Sequence, residues 1–223
     1  RSRMAAELRG FLHLDSSARA AQKATPVAAE YRFGGPTALH LPLPDGRVLR
    51  FRGAIDRIDR QEDGNLVVLD VKSGKPDRYR SIGDDSPFPD GTRLQLPIYG
   101  LAASAAGTDS TSAVAFTFVG GSRPDDQRIG YELSPQVLEA FDVVLARIVA
   151  GIEAGAFPHN PPAPTRFSGF SCPHCMPDGL DARHLHAACE RKADDPAMQL
   201  HRHHIADPKA ASGGRAAEEV ASP

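Results

Sequence analysis

Two kinds of apolar pattern alternate along this chain. Some stretches place apolar residues three and four apart, and others alternate or run β-branched over a few residues. Met4, Leu8, Phe11 and Leu12 have the helical spacing, and residues 15–23 can continue that helix. Residues 25–33 read as a strand entered at Pro26, with Val27, Ala29 and Tyr31 on one side, broken by Gly34-Gly35-Pro36. Residues 39–43 make a short strand, and Asp45-Gly46 turns into a long alternating stretch over 47–60. Residues 66–73 are rich in β-branched positions and form the partner strand. A polar loop rich in Pro, Gly and Asp covers 75–91, a length and composition that suit a functional loop. A helix is expected from Thr92 or Arg93 to Ala106, tolerating Pro97 because it falls in the first turn, and Gly107 closes it. Strands at 111–119 and 128–133 are expected to pair. Ser134 caps a last helix that opens on Pro135 and runs to about Glu153, with Val137, Leu138, Phe141, Val144, Leu145, Ile148 and Ile152 on its buried face. From Phe157 onward, prolines at 158, 161, 162 and 164 lead into a cysteine-bearing segment. Residues beyond about Lys192 have the composition of a disordered tail.

The hairpin built from 47–60 and 66–73 is where chemistry concentrates. Glu62-Asp63-Gly64 suits a three-residue loop with Gly64 left-handed, which pairs Gln61 with Asn65 and fixes the register. Counting outward, Ile58 faces Val68, Asp56 faces Asp70, and Ala54 faces Lys72. Opposed side chains sit about 5 Å apart at Cβ on one face of a sheet, so Asp56, Asp70 and Lys72 converge. A slip of one residue would scatter them. Facing carboxylates destabilise a sheet unless compensated, and a hard divalent cation would compensate them. A lysine beside such a cation could orient or help deprotonate a metal-acidified water, which is phosphodiester chemistry. The competing reading is a solvated hairpin whose charges keep it soluble.

Composition narrows the alternatives. At 223 residues the chain suits one domain with an appendage, and a formal net charge of −2 carries no global nucleic-acid signature. A nucleic-acid binder would need a local basic surface, which Arg47, Arg50, Arg52, Arg57 and Arg60 supply along the first hairpin strand. Lys75, Arg78 and Arg80 could meet phosphates from the loop, or form a solvated basic loop. Three cysteines, two of them in a C-x-x-C, do not make a secreted disulfide framework. No run spans a membrane and no signal-peptide pattern opens the chain, so a cytoplasmic location is the default expectation. The opening RSRMAAELRGFLHLD lacks an initiator Met and reads as the middle of a helical segment, which points to a domain cut from a longer protein.

The order GAIDRID, LDVKSG, QLPIY resembles the PD-(D/E)XK nuclease superfamily, in particular the RecB/AddB-like nuclease domains of bacterial helicase–nucleases and RecB-family exonucleases. The resemblance covers roughly residues 27–189. It implies an α/β, restriction-endonuclease-like core (residues 1–160) with a mixed central sheet flanked by helices, a cysteine-containing C-terminal cap (161–192) and a tail (193–223). It further implies Asp56 and Asp70 as metal ligands, joined by the backbone carbonyl of Val71, with Lys72 as the catalytic lysine. Gln95 and Tyr99, four apart on one helix face, match the Q-x-x-x-Y motif beside that site. Their alternative reading is Tyr99 as core and Gln95 as surface. The implied activity is Mg²⁺- or Mn²⁺-dependent DNA hydrolysis of exonuclease type, in end processing and recombinational repair, beside a helicase-like domain or subunit. The alternative is a catalytically silent DNA-binding or scaffold module.

Two departures from the family pattern stand out. The family has a further acidic residue or His on an upstream helix; only Glu7 and His13 are candidates, and the ligand is expected before Arg1. Many members hold a [4Fe–4S] cluster with four cysteines. Cys172 and Cys175 match the start of the trailing group, but the next cysteine, expected near Asp181, is Cys189. An incomplete Fe–S site, a zinc site completed by His174, His184 or His186, and free thiols are the three readings. The run His201-Arg202-His203-His204 reads as solvated tail.

Overall fold

The expected hairpin lies at the middle of the fold. The computed structural model describes residues 2–107, 109–120 and 127–157, with short pieces between 187 and 196. Helix α1 (Ser2–Ala21) leads into β1 (Ala24–Phe33), followed by a 3₁₀ turn and the short strands β2 (Leu39–Pro42) and β3 (Val48–Phe51). The hairpin strands are β4 (Gly53–Gln61) and β5 (Leu66–Lys72). Helix α2 (Gln95–Ala105), β6 (Thr111–Phe118), β7 (Arg128–Glu132) and α3 (Pro135–Glu153) complete the order. One five-stranded sheet runs β1-β4-β5-β6-β7, and β2 with β3 forms a separate pair. Among the described residues, only β5 and β6 are parallel within the large sheet. That pairing needs a crossover, which α2 supplies.

Local chemistry explains most boundaries. Gly64 takes φ +90°, its N–H donates to Gln61 O, and Gln61 N–H donates to Asn65 O, as the loop reading requires. Ser134 Oγ accepts the Val137 N–H and caps α3. Gly155, at φ +67°, follows the helix end. Val137 and Phe141 of α3 are buried, and the Phe141 ring meets Phe88, which is fully buried within the polar loop. Two compact units divide the chain at Val143/Val144. Of the second, the described part is the end of α3 and a helical stretch near 187–192.

Three expectations change. Residues 47–60 are two strands, because β3 pairs with β2 while β4 pairs with β1 and β5. The changeover falls beside Gly53, where a Cβ would meet the Phe33 ring at 3.0 Å and Tyr99 Cε1 at 3.4 Å. A β-bulge between Pro26 and Ala28 interrupts the simple alternation expected of 25–33, where Val27 and Ala29 are both exposed. Helix α2 starts at Gln95 because Arg93 has φ +61°, outside helical space. The described helices are too short or too polar to cross a membrane. Cys172, Cys175 and Cys189, the histidines proposed to join them, and all of the expected tail but residues 194–196 lie outside the described residues.

Candidate active site

Pairing between β4 and β5 follows the expected register as far as it extends, with Ile58 opposite Val68 and Arg57 opposite Leu69. Beyond Arg57 the β4–β5 ladder ends, while on its other side β4 stays paired with β1 as far as Gly53. The opened gap is filled by a side chain: Asp56 Oδ2 accepts the Val71 N–H at 2.6 Å. A strand residue presents its N–H and C=O to the same neighbour, so the Val71 carbonyl leaves along this opened edge too.

Alternation places Asp70 and Lys72 on one face of β5, and the Lys72 ammonium pairs with Asp70 Oδ2. Asp70 is 3 % exposed, and Oδ2 has no aligned hydrogen-bond donor, only the lysine charge facing it. Burial raises the Asp70 carboxyl above its ordinary range, the Lys72 pairing pulls it down, and the Asp56 charge pushes it up again, so the net displacement is upward. The two carboxylates therefore sense each other, as facing positions should.

Lys72 is held on three sides. Its Nζ lies 3.5 Å from Gln95 Oε1, a long hydrogen-bond contact, and 5.2 Å from the Phe116 ring centroid. Gln95 Nε2 donates to Tyr99 OH at 2.9 Å, one turn along α2. The Tyr99 ring meets Phe33 edge-on at 5.9 Å. Gly100, next on α2, lets the helix lie close to the sheet, since a Cβ there would stand 2.7 Å from Leu133 Cδ2 and 2.9 Å from Val114 Cγ1. The reading of Tyr99 as core and Gln95 as surface is replaced by a relay in which Tyr99 fixes Gln95 and Gln95 faces Lys72.

The basic residues are sorted by the fold. Arg57 lies on the opposite face from Asp56 and is not available to a substrate at the carboxylates. It donates to Asp15 Oδ1 at 2.7 Å and Oδ2 at 3.1 Å, and to Asp59 Oδ2 at 2.9 Å. Arg47 bonds Asp45 in its own turn, and Arg60 bonds Asp109, so the arginines of 47–60 form no continuous basic stripe. Lys75 and Arg78 are exposed after β5, whereas Arg80 pairs with Asp77. Sequence reasoning missed Tyr79 and Arg93, which lie next to the site. An aromatic residue inside a polar loop is the available signal for Tyr79.

The donors suit a hard divalent cation: two carboxylates on one face, one of them buried with the Lys72 ammonium against it. Asp56 and Asp70 would hold it. Among the described residues no group of three or more His, Cys, Asp or Glu side chains is clustered to hold a metal. Glu7 and His13, the candidates for a third ligand, are both exposed on α1.

Residues 1–177 match the PD-(D/E)XK nuclease superfamily. A stretch of 136 residues is 35 % identical to an ATP-dependent helicase/deoxyribonuclease subunit from Desulforudis audaxviator (strain MP104C), covering 52 % of this chain and 11 % of that protein. The chain thus spans about a tenth of the length of that curated relative. A solved structure described as the crystal structure of SSO0001 aligns over 63 % of this chain and 56 % of its own, at 16 % identity and a TM-score of 0.32.

Proposed function

Because this chain belongs to the PD-(D/E)XK nuclease superfamily, we propose that it hydrolyses DNA phosphodiester bonds in a reaction that needs Mg²⁺ or Mn²⁺. The observation that carries this reading is the convergence of Asp56, Asp70 and Lys72, with Gln95 on the lysine. A silent module gains nothing from a nearly buried carboxylate that faces a second one. A cation bound by Asp56 and Asp70 supplies Lewis acidity and an acidified water. The protein's own part is positional. Asp56 is fixed by the Val71 N–H, Asp70 is confined by burial, and Lys72 offers N–H donors to the attacking water and the phosphate oxygens. Gln95 and Tyr99 hold Lys72 in that direction. Lys75 and Arg78 are the exposed candidates for phosphate contacts, with Arg80 retained through its exposed guanidinium. The likeness to a helicase/deoxyribonuclease subunit supports an exonuclease role in DNA end processing and recombinational repair, beside a helicase-like domain or subunit.

The second reading, a silent DNA-binding module, draws on the two-carboxylate site, which lacks a third ligand among the described residues. End-labelled linear DNA and a closed circle, each incubated with the protein in Mg²⁺ or in EDTA, separate the two. Loss of the linear substrate in Mg²⁺ alone, with the circle spared, is the expected result. Binding with no cut in any divalent metal would establish the silent module instead.

The relay on Lys72 makes a second prediction. Tyr99→Phe keeps the ring against Phe33 but removes the oxygen that accepts from Gln95. A single hydrogen bond of this kind contributes on the order of 1 kcal/mol, so turnover should fall roughly threefold to tenfold with unchanged melting. Gln95→Ala should fall at least as far. Wild-type turnover in both variants would remove the relay from the mechanism.

A further inference from the structure

We propose that Arg93, carried on the Tyr79 ring, is a phosphate-binding residue that seats the nucleic-acid backbone beside the catalytic carboxylates. The proposal rests on the nuclease reading for its substrate class and on separate geometry for its location.

Arg93 stands two residues before Gln95, whose amide faces Lys72. Its guanidinium carbon lies 4.5 Å from the Tyr79 ring centroid. Tyr79 in turn packs on Phe116 at 4.8 Å and on Phe118 at 5.1 Å. Phe116 is the ring that Lys72 Nζ approaches at 5.2 Å. A continuous aromatic shelf therefore joins the two cations, with Lys72 at one end and Arg93 at the other.

Charge pairing sets Arg93 apart from many of the other arginines. Arg19, Arg57 and Arg128 bond to Asp15, Arg47 to Asp45, Arg60 to Asp109 and Arg80 to Asp77. Among the described residues Arg93 has no ion pair, and its guanidinium rests on the face of Tyr79. A guanidinium stacked on a ring keeps its in-plane N–H donors, a fork that matches phosphate oxygens. Arg93 is also exposed, in a left-handed backbone at φ +61° that glycine would adopt with less strain. Retaining a long cationic side chain in strained backbone is explained when the side chain has a target. Lys72, beside Asp70, serves the scissile position, and Arg93, at the far end of the same shelf, is placed to meet a neighbouring phosphate.

The test is the salt dependence of binding to a short fluorescein-labelled single-stranded oligonucleotide, followed by anisotropy in EDTA so that no metal-dependent cut intervenes. Arg93→Gln should bind roughly tenfold more weakly at low salt. The slope of log K against log salt should become shallower by about 0.7, the value for one lost phosphate contact on a single strand. Arg93→Lys should keep the wild-type slope with intermediate affinity, since charge remains while the planar fork is lost. Arg93→Gly, which relieves the backbone, should melt no lower than wild type and bind as weakly as Arg93→Gln. An unchanged affinity and slope in Arg93→Gln overturns the proposal, as does an equal loss in the surface variant Arg9→Gln on α1. A wild type that binds no DNA at any salt sinks both this proposal and the hydrolysis reading. Binding without a cut in Mg²⁺ sinks the hydrolysis reading alone, and the slope still decides Arg93.

Discussion

Lys72→Ala is expected to reduce Mg²⁺-dependent DNA cleavage by about a thousandfold while leaving the protein folded and able to bind divalent metal. The size follows from the role. A positioned group that handles a proton or charge in the transition state contributes roughly two to four orders of magnitude. Lys72 is the cation in contact with Asp70, and Gln95 together with Phe116 sets its direction. Loss of the ammonium leaves Asp70 buried without its counter-charge, which would ordinarily cost several kcal/mol. Here the carboxyl is already displaced upward by burial and by Asp56, so protonation limits that cost in the metal-free protein. With metal bound, the cation takes over part of the compensation. Metal affinity, read by calorimetry with Mn²⁺, should therefore hold steady or rise in Lys72→Ala while turnover collapses. Asp70→Asn should lose both. Cleavage at the wild-type rate by Lys72→Ala would remove the lysine from the chemistry, and loss of folding would show that its role is structural.

The parts of this site written in local sequence are legible from it, and the parts made by packing are not. Gly64 sets a loop length, the loop sets a register, and the register brings Asp56 to Asp70. Gln95 and Tyr99 follow from a helical spacing of four. What the register does not foretell is the end of the ladder at Arg57, where the Asp56 carboxylate takes the Val71 N–H in place of a backbone partner. Alternation states that Arg57 and Asp56 point to opposite faces, but not which face α1 covers. In sequence Arg57 therefore resembles a DNA contact, whereas in the fold its partners are Asp15, distant along the chain, and Asp59. Arg93 has no sequence signal, because nothing in an arginine announces a positive φ.

The back of the sheet makes the larger stability prediction. Asp15 is 3 % exposed and accepts from Arg57, Arg19 and Arg128, so one helix carboxylate ties α1 to both β4 and β7. Asp15→Ala leaves the guanidinium of Arg128 with Gln22 alone and that of Arg57 with Asp59. Removing one partner from a buried charge network costs about 3–5 kcal/mol. For a chain of this size that corresponds to a fall of roughly 10–15 °C in Tm. Acid titration gives an independent readout. Burial pushes the Asp15 carboxyl up, but hydrogen bonds from Arg57 and Arg19, the Arg57 charge and a bond from Arg128 outweigh it and hold it at about 2. A carboxyl depressed on folding stabilises fully above its unfolded value, and that stability drains away as pH falls through the folded value. The Asp15 share is roughly 2 kcal/mol, lost between about pH 4 and pH 2. Asp59 acts in the opposite sense. Burial raises it despite Arg57 and Arg128, so its neutral form favours the fold at low pH and that contribution fades as pH rises. The two act in adjoining pH windows, Asp15 below about pH 4 and Asp59 above it. Asp15→Asn should flatten the fall in Tm from pH 4 to pH 2, whereas Asp59→Asn should leave that limb alone and instead remove a loss of Tm that the wild type shows as pH rises above about 4. Parallel acid limbs in all three proteins, or an Asp15→Ala variant melting within a degree or two of wild type, would show that α1 is held by its apolar contacts and not by this carboxylate.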